Sequence, residues 1–239
     1  MHLLQKDVVL ALASKEEIRG VIFDCDGTLI DTMPLYYEGW QLCCADLGLE
    51  LSEEEFYSMG GMMVVDMFKM LISRAGLEGK LTVEDCQANK RAHQAKLEKP
   101  GRIAVICDLA VELKRHGKRL AVASSGWRDH VIGNLERVGL LELFKGDDFT
   151  EGNGYIYPDE HHLVVAGDEV AKAKPAPDIF LEAARRLGLP PGECIGFEDA
   201  DFGVQSLEAA GIGEIVDVRD VEGYPLPECV LKMITNCAV

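Results

Sequence analysis

Val21-Ile22-Phe23-Asp24-Cys25-Asp26-Gly27-Thr28 decides how the rest of the chain is read. A short apolar run broken by a turn of acids and glycine reads as a buried strand passing into a loop. Asp24 and Asp26 follow that strand with one residue between them, so both carboxylates can point into one crevice. In an open α/β sheet, ligands bind outside the carboxyl ends of the strands, where such a loop lies. Two carboxylates there repel each other unless a cation sits between them or one is protonated. An EF-hand loop would need Gly at its sixth position and a closing Glu, and here Gly27 comes fourth. The plainer reading is a strand followed by an Asp-Gly turn.

Apolar runs at 119–123, 163–166 and 194–197, with a fifth candidate at 215–218, read in the same way as the first. Ile179, Phe180, Ala183, Ala184 and Leu187 repeat at helical spacing and stop at Gly188, ahead of Pro190-Pro191. Strands alternating with helices predict an α/β fold, a doubly wound parallel, Rossmann-like sheet. Residues 35–100, between the first two strands, carry only helical signals. Thr32 and Pro34 can start one helix, and Ser52 with Glu55 forms a capping-box pattern. Val65, Phe68, Ile72 and Ala75 mark another helix, and a last one runs over about 83–99, before Pro100-Gly101. The expected division is therefore 1–34 and 101–239 as the α/β core with the catalytic site, and 35–100 as a small inserted helical cap. Residues before Gly20 are either a helix packed on the core or an interaction surface.

Hydrophobic residues make up 48% of the 239 and charged residues 27%, a globular mixture that excludes disorder. Lys and Arg total 24 against 41 Asp and Glu, a formal net charge of −17. So acidic a surface repels nucleic acid and anionic membrane. The eight cysteines form no C-x-x-C pair and mostly sit in apolar stretches, which argues for free thiols in a reducing compartment. Val8 to Ala13 is too short an apolar run for a signal peptide, and no run reaches transmembrane length. The expectation is a soluble, cytoplasmic protein, a monomer or weak dimer, with no nucleic acid or membrane as partner.

Three more segments join the Asp24 loop at the same sheet edge. The strand at 119–123 runs into Ser124-Ser125-Gly126, where hydroxyls and backbone N–H groups are on offer, although a helix cap would use the same residues. Lys174-Pro175-Ala176-Pro177-Asp178 fixes a lysine in a stiff turn. Glu198-Asp199 ends the fourth strand, where adjacent acids are costly without a metal or hydrogen bonds. Carboxylates, hydroxyls and one lysine on one edge suit phosphoryl transfer, with Mg2+ and Lys174 neutralising a phosphate that Asp24 would otherwise repel.

The motifs FDCDGT (23–28), VASS (122–125), KPAPD (174–178) and GFEDADFG (196–203), in that order, resemble those of the haloacid dehalogenase superfamily, in its phosphatase and β-phosphoglucomutase-like branch with a helical cap. The resemblance covers nearly all of the chain from about Gly20. It implies Asp24 as nucleophile forming an aspartyl-phosphate, and Asp26 as general acid and then base. It implies Ser124 on the phosphoryl group and Lys174 balancing charge, with Thr28 and Ser125 as further phosphate contacts. Mg2+ would be held by Asp24, the backbone carbonyl of Asp26, and Asp199, with Glu198 contributing directly or through water. Asp26 separates the chain from phosphonate-cleaving relatives and dehalogenases, and Cys25 from cation-pump ATPases.

The chain also departs from the pattern. Tyr36 stands where the resembling mutases carry His, while Trp40 matches. Residues 60–65 offer no counterpart of the mutases' cap arginine, and Ala200 replaces a frequent Ser. Tyr36, Trp40, Met62 and Met63 are the candidate specificity residues, with Lys69, Arg91 and His93 behind them. For each the ordinary alternative is core filler or solvated surface. The segment 145–162 is long for the family, with a hairpin expected at Asn153-Gly154 and His161-His162 expected on a surface loop. The leading expectation is a Mg2+-dependent phosphatase acting on a small phosphorylated metabolite, with a sugar phosphate as the expected substrate. The rivals are a sugar phosphomutase and a non-catalytic sugar-phosphate-binding protein.

Overall fold

A computed structural model describes residues 6–60, 62–97, 99–146 and 161–230. The first helix, α1 (Lys6–Ala13), puts Val9 and Ala13 into the main core, so the residues before Gly20 act as a packed helix. The strands follow as β1 (Gly20–Phe23), β2 (Arg119–Ser124), β3 (Val164–Ala166), β4 (Cys194–Glu198) and β5 (Glu214–Asp217). All pair in parallel in the order β3-β2-β1-β4-β5, which is the doubly wound sheet expected. The chain builds outward from β1 through β2 to β3, then crosses back to β4 on the other flank of β1. That reversal makes the carboxyl ends of β1 and β4 the topological switch point.

The helices of the sheet unit are α6 (Ala104–Arg115), α7 (Arg128–Arg137), α8 (Asp178–Leu187) and α9 (Asp201–Ala210). In α8 the five residues at helical spacing are all buried, and Gly188 ends the helix in a left-handed conformation. Among the described residues β3 is an edge strand, and side chains rather than a further strand satisfy its backbone. Arg128 and Arg186 donate to the Val164 carbonyl at 2.7 and 3.3 Å, and Ala166 N–H donates to Glu169 at 2.8 Å.

The second unit is helical: α2 (Met33–Leu47), α3 (Glu53–Ser58), α4 (Val64–Arg74) and α5 (Val83–Gln94). Its core is built on Trp40, Phe56, Phe68, Leu71 and three buried cysteines, with the Trp40 and Phe68 rings 4.4 Å apart. Pro34 lies in the first turn of α2, but Thr32 supplies no side-chain cap. Ser52 does cap α3, accepting from Glu55 N–H at 3.1 Å. The Glu55 carboxylate turns instead to Arg74, so the reciprocal half of the capping box is replaced by an ion pair. The last helix ends at Gln94 rather than near 99, because the chain tightens into three-residue turns ahead of Pro100.

The sheet unit comprises the described residues up to Asp31 and from Gly101 to Pro225, and the helical unit runs from Thr32 to Pro100 and again from Leu226. The expected division kept everything after 100 with the sheet. In the structure Cys229 and Val230 are buried, and Cys229 lies against Glu53 of α3. All seven described cysteines are free and buried. Among the described residues no helix is long and apolar enough to cross a membrane. The expected hairpin at Asn153-Gly154 lies outside the described residues. His162 is only 4% exposed, not on a surface loop as expected. Its ring occupies the space a side chain at Gly146 would need.

Candidate active site

Strand register places the acids. Phe23 pairs with Val122 on one side and Phe197 on the other, so Ala123, Asp24 and Glu198 stand level at the ends of three neighbouring strands. The Phe23 and Phe197 rings stack at 4.7 Å and Phe144 meets Phe23 edge-on at 6.4 Å, which stiffens the two strand ends that carry the acids.

Lys174 ties the ends together. Its Nζ donates to Asp24 Oδ1 at 2.6 Å, Glu198 Oε1 at 2.7 Å and the Ala123 carbonyl at 3.1 Å, which uses all three protons of the ammonium group. The turn that carries it is anchored from α9, where the buried Ser206 hydroxyl donates to the Ala176 carbonyl at 2.6 Å. Burial pulls the Lys174 ammonium downward, but Asp24 and Glu198 outweigh it and the net shift is upward, so the side chain stays charged. The Asp24 carboxyl is raised: burial is the largest cause, Lys174 opposes it, and Glu198 and Asp26 add repulsion. Asp199 is also raised, again chiefly by burial, with Glu198 and Asp24 next.

Asp24, Glu198 and Asp199 can each bring one oxygen within 4.8 Å of the others. Asp26, beside Asp24, adds a fourth carboxyl group. Such an all-oxygen, net negative cluster fits a hard divalent cation. Both Glu198 oxygens are already engaged: Oε1 by Lys174, and Oε2 by the N–H groups of Asp199 and Ala200 at 2.7 and 2.8 Å. Glu198 thus orients the lysine and the following turn. Two glycines make room for this packing. A Cβ on Gly203 would start 1.8 Å from Glu198 Oε1, and one on Gly27 would start 2.2 Å from Asp199 Oδ2.

The structure brings Asp24, Asp26, Ser124, Lys174, Glu198 and Asp199 to one sheet edge. Ser124, 1% exposed, lies 3.5 Å from Asp26 Oδ2 through its Oγ and accepts from Gly126 N–H at 3.1 Å. Thr28 is fully buried, and its hydroxyl donates to Asp199 Oδ1 at 3.2 Å, so it holds an acid where a phosphate contact was expected. Ser125 is exposed, one residue past the strand.

The candidate residues of the helical unit fare differently. Trp40 is 2% exposed, a core residue. Tyr36 is half-buried, Met62 packs against the helical core, and Met63 is exposed ahead of α4. Lys69 pairs with Asp66 on the surface, His93 is tied to Asp46 at 2.7 Å, and Arg91 is exposed. The residue missed is Lys90. It is buried between Tyr36 and Trp40, its Nζ 5.5 and 5.3 Å from their ring centroids, with Gln94 Oε1 at 2.8 Å. The signal was its place one residue ahead of Arg91, on a helix whose inward face the mostly polar run Asn89 to His93 concealed.

The profile of haloacid dehalogenase-like hydrolases matches residues 18–211. The chain is 30% identical to the fructose-1-phosphate phosphatase YqaB of Escherichia coli, over 85% of this chain and 98% of that one. It is 27% identical to the β-phosphoglucomutase of Bacillus subtilis, over 82% and 81%. The solved structure of CbbY from Rhodobacter sphaeroides, in complex with phosphate, superposes with a TM-score of 0.56 at 28% identity, covering 82% of this chain and 84% of that one.

Proposed function

The chain belongs to the haloacid dehalogenase-like hydrolases, and on that premise we propose that it is a Mg2+-dependent phosphatase of a small sugar phosphate, working through an aspartyl-phosphate. The observation that carries the reading is Asp24 at the end of the central strand, one oxygen fixed by Lys174 at 2.6 Å, with Asp26 and Ser124 beside it. In this reading an Asp24 oxygen attacks phosphorus and the bond to the sugar oxygen breaks as Asp26 gives that oxygen a proton. Water then attacks the same phosphorus, Asp26 takes its proton, and the Asp24 carboxylate is regenerated with release of phosphate. Ser124 Oγ donates to the phosphoryl group, and Lys174 stops Asp24 and phosphate from repelling each other. Asp24, the Asp26 carbonyl and Asp199 would hold Mg2+, with Glu198 behind them. The ion supplies positive charge that offsets the carboxylates and the phosphate.

Two features support a sugar as the leaving group. Two of the relatives, YqaB and the β-phosphoglucomutase, are named for sugar phosphates. Trp127 is 76% exposed, and it directly follows Gly126, where a Cβ would lie 3.4 Å from Asp26 Oδ2. An exposed indole one residue past that glycine suits the apolar face of a sugar ring. The helical unit would serve as the cap.

A phosphomutase would share every step up to the aspartyl-phosphate and differ only in the acceptor, a sugar hydroxyl in place of water. The test is phosphate release from a panel of phosphomonoesters, with Mg2+ and with chelator, alongside Asp24→Asn. Chelator-sensitive release that Asp24→Asn abolishes is the expected result. Hexose phosphates isomerised without net release would replace the phosphatase by the mutase, and binding without turnover would leave a sensor.

A further inference from the structure

We propose that Tyr224 is a positioning residue for the metal-binding side of this site, acting through the Gly27–Thr28 peptide. The proposal rests on the metal reading above. Tyr224 follows the last strand of the sheet and its ring packs partly on the main core. Its phenol donates to the Gly27 carbonyl at 2.6 Å, across 197 positions of sequence.

The peptide it grips touches Asp199 on both sides. The Gly27 Cα lies against Asp199 Oδ2, close enough that an added Cβ would sit 2.2 Å away. On the far side, the Thr28 hydroxyl donates to Asp199 Oδ1 at 3.2 Å. Rotation of the Gly27–Thr28 peptide would therefore displace both contacts of one carboxylate together.

Glycine is the residue least able to resist such a rotation by its own sterics, and Gly27 sits at φ +94°. One end of the residue is held by its N–H, which donates to the Ile30 carbonyl at 2.8 Å. The phenol holds the other end. Partners that orient a metal's ligands, without touching the metal, tune its affinity. Tyr224 thus sets where Asp199 waits for the ion, and takes no part in moving the phosphoryl group.

Tyr224→Phe keeps the ring and removes only the hydroxyl. Mg2+ binding is read without turnover, from the rise in unfolding temperature as Mg2+ is titrated and from Mn2+ binding by electron paramagnetic resonance. The variant should bind either ion about 3- to 10-fold more weakly, the scale of one lost hydrogen bond. Its kcat at saturating Mg2+ should stay within about 2-fold of the parent, since the reacting groups are untouched. Thr28→Val should weaken the metal similarly, and the double variant should bind no worse than the poorer single one, because both act through one carboxylate. Unchanged metal affinity in Tyr224→Phe, with or without a lower unfolding temperature, would overturn the proposal, as would two effects that multiply. A parent chain that binds neither ion would instead remove the metal reading itself, and this proposal with it.

Discussion

Each unit of the molecule holds a buried lysine, and the two are driven in opposite directions. Lys174, in the sheet unit, meets Asp24 at 2.6 Å and Glu198 at 2.7 Å, and these carboxylates outweigh the penalty of burial. Lys90, in the helical unit, meets two aromatic rings and an amide oxygen, with no carboxylate paired to it among the described residues. Burial pushes it down from 10.5 to about 8, with only weak opposition from Cys43. Desolvation is common to both, so the neighbours decide the outcome. The positive charge of Lys174 is taken up by the protein's own acids. That of Lys90 meets no carboxylate among the described residues, and an anionic ligand would stabilise it.

The largest test of this contrast is Lys174→Met. It strands the carboxylates of Asp24 and Glu198, and breaking a buried pair from one side costs about 3–5 kcal/mol. Urea unfolding in chelator at pH 8 should show a loss on that scale, shrinking at acid pH as the acids take up protons. Phosphate release should fall by about 10³-fold or more with the loss of charge balance. Unchanged stability would mean that the acids do not depend on the lysine.

Lys90→Met should do the reverse. The folded pKa of Lys90 lies below its unfolded value, so between pH 8 and 10.5 the unfolded chain binds more protons and the parent gains stability as pH rises. Below pH 8 the parent carries the full penalty, up to about 3 kcal/mol. The variant should therefore match or exceed the parent at pH 7 and lose that advantage toward pH 10.5, as read by urea unfolding across pH. If Lys90 meets the substrate's anion, KM should rise about 10-fold with kcat little changed. A variant less stable at pH 7 than at pH 10, relative to the parent, would break the comparison.

The smallest effect is expected at Trp127→Ala. Losing one stacking face should lower kcat/KM for the best sugar phosphate about 5-fold and leave acetyl phosphate, which has no ring, within about 2-fold. Equal losses on both substrates would remove Trp127 as a sugar platform.

Much of this was legible in the residues alone. The apolar runs located all five strands to within about one residue, because a strand buried on both faces is written as a continuous local pattern. Only β5 shifted at both ends, starting at Glu214, a charged residue that an apolar pattern does not count. The motifs that end β1, β2 and β4, with the turn before α8, named Asp24, Asp26, Ser124, Lys174, Glu198 and Asp199, since parallel strands in one register deliver their carboxyl ends together. The helical unit was less readable. Its helices were visible, but which charged residue turns inward on α5 depends on Tyr36 and Trp40 in another helix.

By itself, then, the sequence determined the parallel α/β sheet, the helical insertion after its first strand, and the acids and lysine of the site, because local periodicity and residue type encode these. Tertiary structure alone decided that Thr28 grips Asp199, that Glu198 spends both oxygens on the protein, that Lys90 is buried with no counter-ion among the described residues, and that Tyr224 reaches back to Gly27. Each of these depends on which distant groups share a few ångströms of desolvated space, and local pattern carries no record of that.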